Sequence, residues 1–233
     1  MLVSHESPLR LLELSTQYND YDYALVHLFD KHPEYYQFFQ RSLLAGREVL
    51  LDNSIFELGV SFNPDEFAQY IAKLKPTFYI VPDVLEDCDA TIDSFCSYIS
   101  KYGHLRGLKI GVIQGKTYDE LIRCYNFMSQ HADYIAISFD YSWYLQVGNS
   151  FSENSKASHL ECYCTGRQRL IKMLIEDGHW NINKPHHLLG ASLAREFSFY
   201  RNIRNIRSCD TSNPVVAGLL GHRYIANLGL DFK

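Results

Sequence analysis

Seven stretches of this chain are short, continuous and apolar, and nearly every one is followed by a segment with helical patterning. They span residues 23–29, 48–52, 77–83, 109–115, 134–138, 187–191 and 205–210, and a weaker eighth lies at 11–14. Runs of Val, Ile and Leu without polar alternation fit strands buried on both faces. Their alternation with helices predicts βα units and a parallel sheet. The helix signals are explicit. Pro33 stands near the start of a helix over 33–45. Asn63-Pro64-Asp65-Glu66 offers a cap, a proline at the first helical position and acids in the first turn. Thr117-Tyr118-Asp119-Glu120 has the capping-box pattern, opening a helix to about residue 130. Further helices are expected at 88–102, 167–176, 195–202 and 215–220, the last entered through Pro214. The expected fold is α/β, a (β/α)8 barrel of the TIM type in a single compact domain over 1–233. An open doubly wound sheet is the alternative that periodicity does not separate from it. Residues 141–165 break the rhythm. This polar insertion carries Gly148-Asn149-Ser150 and Ser152-Glu153-Asn154-Ser155, and reads equally well as a loop over an active site or as a plain insertion.

The chain has 233 residues, enough for one barrel domain, and 46% of them are hydrophobic. No run approaches the length of a membrane span, and the first residues lack the basic flank and apolar core of a signal peptide. An intracellular, cytoplasmic protein without a membrane partner is the expectation. The six cysteines (88, 96, 124, 162, 164 and 209) fall mostly inside apolar segments and read as reduced, buried thiols. His159, Cys162 and Cys164 form a metal-like cluster that lacks a further cysteine, so no zinc site is assigned. No Gly-x-Gly-x-x-Gly or Walker pattern follows a strand, and no cofactor is expected.

Net charge is −5, which by itself argues against a nucleic-acid partner. The distribution argues less strongly: residues 1–140 hold 11 Lys and Arg against 20 Asp and Glu, and residues 141–233 hold 11 against 7. Arg195, Arg201, Arg204, Arg207 and Arg223 in the second part are the candidate phosphate contacts. A solvated helix face explains them as well.

Three strands end on a carboxylate, Asp52, Asp83 and Asp210. Two others end on Gln114-Gly115 and Gly190-Ala191-Ser192. Each has a bland explanation, since Asp and Gly are common at strand exits. In a barrel, however, all these ends converge on one face, where active sites are built. Several carboxylates, an amide and exposed backbone suit a polar heterocycle with N–H donors. They also suit covalent catalysis by one carboxylate assisted by a second.

The residues carrying these ends resemble the tRNA-guanine and DNA-guanine transglycosylases. Residues 51–57, Leu-Asp-Asn-Ser-Ile-Phe-Glu, look like that family's Asp-Ser-Gly-Gly-Phe-Gln segment. Val81-Pro82-Asp83 fits its base-recognising Asp, and Val112-Ile113-Gln114-Gly115 is close to its Val-Gln-Gly motif. Leu189-Gly190-Ala191-Ser192 falls at its glycine-rich strand end, and Ser208-Cys209-Asp210 at its nucleophile region. The order holds along residues 50–215. The family's zinc site of three Cys and one His beyond the nucleophile has no counterpart here, so the chain looks closest to the phage and bacterial DNA-modifying branch. The resemblance implies a pentosyltransferase that replaces guanine in DNA with a 7-deazaguanine derivative such as preQ0. By it, Asp210 attacks C1′ and Asp52 shuttles the proton. Asp83, Gln114, Gly115, Gly190 and Ser54 would contact the base. Phe56 would stack on it, although a Phe beside a strand end is more often core. The partners implied are DNA with its target nucleotide flipped out or unpaired and the free 7-deazaguanine base. Oligomeric state is open. A tRNA-acting enzyme, a non-catalytic nucleic-acid or partner-binding barrel, and an unrelated small-molecule barrel enzyme are the alternatives.

Overall fold

The β-branched and aromatic runs form strands because a barrel wall buries both of their faces. A computed structural model describes residues 1–148, 159–191, 193–222, 224–225 and 229–230. Its main sheet has eight parallel strands: β1 Leu2–His5, β2 Asp22–Leu25, β3 Val49–Asp52, β4 Phe78–Ile80, β5 Leu108–Val112, β6 Tyr134–Ile137, β7 His186–Leu188 and β8 Ile206–Thr211. From β2 to β8 each strand pairs with the next in sequence, and β8 returns to β1 with Leu2 opposite Ser208 and Ser4 opposite Asp210. The ends of this order, β1 and β2, are joined by the segment before β2. Asp20 N–H donates to the Val3 carbonyl at 2.9 Å, and His5 N–H donates to Asn19 at 2.8 Å. The result is a nearly closed TIM-type barrel in one compact domain. A short antiparallel pair, β9 Tyr224–Ile225 and β10 Gly229–Leu230, follows.

Ten helices are described: α1 Leu12–Ser15, α2 Pro33–Leu44, α3 Ile55–Leu58, α4 Pro64–Leu74, α5 Cys88–Tyr102, α6 Tyr118–His131, α7 Ser142–Gly148, α8 His159–Glu176, α9 Glu196–Tyr200 and α10 Asn213–Leu219. The caps act as their residue types dictate. Asn63 accepts from the N–H groups of Asp65 and Glu66, and Thr117 and Glu120 form the reciprocal capping box. Two apolar clusters explain the unbroken strand hydrophobicity. Tyr23, Leu50, Phe78, Ile80, Ile110 and Tyr134 fill the barrel interior. Val49, Leu51, Tyr79 and Ile135 belong to the larger cluster beneath the helices.

Three expectations are corrected. Residues 11–14 are helical, not a strand, and the first strand is Leu2–His5, whose polar Ser4 and His5 hide it in the sequence. The expected strand over 23–29 stops at Leu25 and turns into a 3₁₀ helix at Val26–Leu28. In the polar insertion at 141–165 the described residues after Tyr141 are helical: α7 and the start of α8 occupy them, with Tyr141 and Tyr144 fully buried. Gly166 lets these helices touch, since a Cβ there would lie 2.3 Å from the Tyr144 Cβ. The Ser152–Ser155 motif and Asn149-Ser150 lie outside the described residues. No disulfide joins the six cysteines, of which Cys96 alone is exposed. Among the described residues no helix is long and apolar enough to cross a membrane, and none of their His, Cys, Asp and Glu side chains form a group arranged to hold a metal ion.

Candidate active site

The carboxyl ends of the strands open into a cavity of about 550 Å³. Among the described residues six carboxylates line it, Glu6, Asp52, Glu57, Asp83, Asp140 and Asp210, and no Lys, Arg or His side chain does. Its wall also carries Tyr23, Ile80, Val112, Phe139, Tyr163 and Leu189.

Asp210, near the end of β8, is 2% exposed. Both of its oxygens accept from the Gly190 N–H, at 3.2 and 3.1 Å, and one also meets His187 Nε2 at 3.0 Å. Burial holds the His187 imidazole neutral, with its pKa down at about 3. With a carboxylate at Nε2, the proton belongs there, and Nδ1 accepts from the Ser208 hydroxyl at 2.9 Å. The ring stacks on Tyr23, with centroids 6.2 Å apart. Burial, then the nearby Asp52 charge, pushes Asp210 up to about 7. The hydrogen bond from Glu6 and the Gly190 N–H act in the opposite sense. Glu6, next to the strand end through its N–H bond to the Thr211 carbonyl at 3.0 Å, is driven well above the usual carboxyl range by burial and by Asp210. Glu6 therefore holds the proton of this pair and donates it toward Asp210.

Asp52 ends β3. It accepts from the Tyr23 hydroxyl and from the Ser54 N–H, and burial raises its pKa against those two bonds. Asp83 follows β4. Its two oxygens accept from Asn53 Nδ2 at 2.8 Å and from Gln114 Nε2 at 2.7 Å. Gln114 is fixed in turn, because its Oε1 accepts from the Glu86 N–H at 2.9 Å. Burial lifts Asp83 to about 6, the two amides pulling it back down.

Asp52, Asp83, Gln114, Gly190 and Asp210 thus meet at one cavity, with Phe56 on its rim. Phe56 is 71% exposed and so is not core. Two assignments are corrected. Ser54 is fully buried with its backbone in the left-handed region (φ 59°), and it serves Asp52 rather than the cavity. Gly115 does not line the cavity either. A Cβ there would lie 2.7 Å from Glu120, so its role is to let α6 start close to β5. The arginines do not form one face. Arg207 stands at the amino-terminal end of β8, the opposite mouth of the barrel, paired with Glu48 at 3.3 Å. The backbone of Arg204 leads into the same strand and takes the Trp180 indole N–H. Arg201 follows the last turn of α9. Arg195 caps α9 and pairs with Glu161 of α8 at 2.6 Å, between the cavity residues Leu160 and Tyr163. Ser192 and Arg223 lie outside the described residues.

Sequence reasoning missed Glu6, Tyr23, His187 and the buried pair of Arg167 and Glu196. His186-His187 inside an apolar strand was a readable signal, since an inward polar side chain on a barrel strand faces the same interior as the strand-end carboxylates.

No family model matches the chain, and no curated protein matches it. Among solved structures it is similar to a mandelate racemase/muconate lactonizing enzyme-like protein from Rubrobacter xylanophilus DSM 9941, with a TM-score of 0.53 at 10% identity over 96% of this chain. The chain spans 58% of that protein's length. It also aligns with a tryptophan synthase from M. tuberculosis, with a TM-score of 0.47 at 11% identity, over 92% of this chain and 68% of that one. At these identities the likeness is one of fold.

Proposed function

We propose that this protein is a base-exchange glycosyltransferase that removes guanine from a nucleotide of DNA and installs a 7-deazaguanine derivative. The observation that carries the reading is Asp210: a buried carboxylate at a barrel strand end, held by one N–H and one imidazole, on the floor of a cavity that also presents Asp83 and to which the described residues bring no cation. In the first displacement an Asp210 oxygen bonds to C1′ while the C1′–N9 bond breaks and its electron pair leaves with guanine. In the second, N9 of the entering base attacks C1′ from the vacated side and Asp210 departs, so the configuration is retained. Asp52 gives a proton to the leaving base and takes one from the entering base, a role suited to a carboxyl whose pKa burial has raised. Asp83, oriented by Asn53 and Gln114, keeps acceptor capacity for the N–H edge of the purine. The surplus of carboxylates favours the cationic sugar of the transition state and disfavours a phosphate inside the cavity.

A second reading is a smaller N-glycoside substrate, a free nucleoside rather than a polymer. It is favoured by Arg207, which lies at the far end of the barrel from Asp210. One experiment addresses both. Labelled guanine is offered with DNA, RNA or free guanine nucleosides, and products are read by mass spectrometry with a search for a covalent adduct on denatured protein. Exchange and an adduct with DNA in the wild type, both absent from Asp210→Asn, are expected. Exchange confined to free nucleosides selects the second reading, and no exchange or adduct with any of the three rejects both.

A further inference from the structure

Arg167 is the bulkiest of the fully buried side chains, and it lies outside the cavity wall. Each nitrogen of its guanidinium donates within the protein. Nε and Nη2 donate to the two oxygens of Glu196 at 2.8 and 3.0 Å, and Nη1 donates to the Leu189 carbonyl at 2.8 Å. The Tyr200 hydroxyl completes Glu196, and the Phe139 ring lies 5.2 Å from the guanidinium carbon. A buried ion pair of this kind is weak evidence for stability, because desolvating both charges offsets their attraction and apolar replacements are often as stable. Its geometry indicates a different use.

The carbonyl that Arg167 holds and the N–H that holds Asp210 belong to one peptide unit, Leu189 C=O to Gly190 N–H. A cation on the oxygen of an amide draws electron density from its nitrogen and makes the N–H a stronger donor. The same bond fixes the peptide plane, which matters here because Gly190 sits at φ +61°, a conformation the chain does not hold by default. We propose that Arg167 is a positioning residue for Asp210, acting through the Leu189–Gly190 peptide to orient its carboxylate and keep it anionic. This rests on the reading of Asp210 as nucleophile only for its consequence, since the physical effect on the carboxylate is independent of the reaction. The other groups facing Asp210 are Glu6 beyond β1, Tyr21 and Tyr23 of β2 and its approach, Asp52 of β3 and His187 of β7. None of them contacts the Leu189 carbonyl in the hydrogen bonds described.

The test removes both charges, so that no partner is left buried alone: Arg167→Met with Glu196→Met. Folding is checked by circular dichroism. Thermal stability is then measured from pH 4 to 9 for this variant and for the wild type, each with and without Asp210→Asn. The stability gain from Asp210→Asn grows with pH and levels off where the folded carboxyl ionises. In the Met/Met background that levelling point is expected to move up by about one pH unit. Base exchange is expected to fall about a hundredfold, in kcat more than in KM for the free base. A folded Met/Met protein with the wild-type levelling point overturns the inference. A Met/Met protein that does not fold passes the test to Arg167→Lys, which retains the cation and one donor and is expected to shift the levelling point less; no shift in that variant overturns the inference. A shifted levelling point in a protein that exchanges no base sustains the role of Arg167 and rejects the proposed function. Exchange in a wild type whose levelling point is insensitive to Arg167 does the reverse.

Discussion

Asp210→Asn is expected to make the protein more stable, and increasingly so as pH rises. In an unfolded chain an aspartate gives up its proton near 3.8, whereas burial keeps the Asp210 carboxyl protonated to about 7. Between those values ionisation favours the unfolded state. The stability contributed by the neutral carboxyl is therefore complete below about pH 4 and is lost as pH climbs to about 7. The interval corresponds to on the order of 4 kcal/mol at 1.36 kcal/mol per pH unit. Glu6 and Asp210 titrate as a pair, so only part of that interval is removed with Asp210 alone, and about 2 kcal/mol is the expected effect at pH 8. For a domain of this size that is a rise in Tm of about 4–8 °C. Asparagine suits the site, because its carbonyl can accept from Gly190 N–H and its amide can donate to Glu6. Thermal melts of both proteins at pH 4, 6 and 8 provide the measurement. A gap that is constant with pH, or a wild type that is the more stable protein at pH 8, would show that Asp210 is not the perturbed carboxyl described here.

Three further outcomes are expected. Asp83→Ala leaves the amides of Asn53 and Gln114 without their acceptor and should lower stability by about 1–3 kcal/mol in urea unfolding; it should also raise the KM for the free base, and unchanged values of both would place purine recognition elsewhere. Gly166→Ala drives a methyl against the Tyr144 backbone and should cost about 1–3 kcal/mol by forcing α7 from α8, so a wild-type denaturation midpoint would contradict the described contact. Arg207→Ala should leave the slope of log affinity for DNA against log salt unchanged, because Arg207 sits at the amino-terminal mouth. A drop of about one unit would instead put the nucleic acid at that end.

The elements easiest to read in the sequence were those specified locally. Cys88–Tyr102 as α5, the Asn63 cap and the Thr117–Glu120 box depend on neighbours three or four residues away, and they occur as expected. The strand-end residues were legible for a related reason: a polar residue closing an apolar run marks its own position. Their partners were not. Glu6 follows a four-residue strand whose polar Ser4 and His5 remove the apolar signal, and its companion Asp210 is 204 residues away in the chain. Ser54 and Gly115 were misjudged because proximity to a site residue does not reveal which way a side chain points. The arginines failed differently. Their clustering in sequence spans α9 and the start of β8, which run in opposite directions and deliver Arg195 and Arg207 to opposite ends of the barrel.

That division bears on how a polymer could reach Asp210. Among the described residues the cavity is lined by six carboxyl groups and no cation, so a phosphate drawn inside would find no compensating charge on them. If the proposed function holds, a nucleotide enters base and sugar first, with its phosphates held back at the rim. There stand the exposed apolar groups Phe56, Leu85, Leu160 and Val216, and the nearby Arg195 is already paired with Glu161. Such a rim gains by contact with base faces rather than by counterion release, and base faces are available only where the nucleic acid is unpaired. Under the proposed function, the ionised carboxylates that disfavour phosphate would also stabilise the positive charge developing on the sugar as the glycosidic bond breaks. On that proposal, selection against the backbone and assistance to the reaction would come from one electrostatic feature, and relieving the cavity of its charge to strengthen DNA binding would weaken the chemistry by the same act.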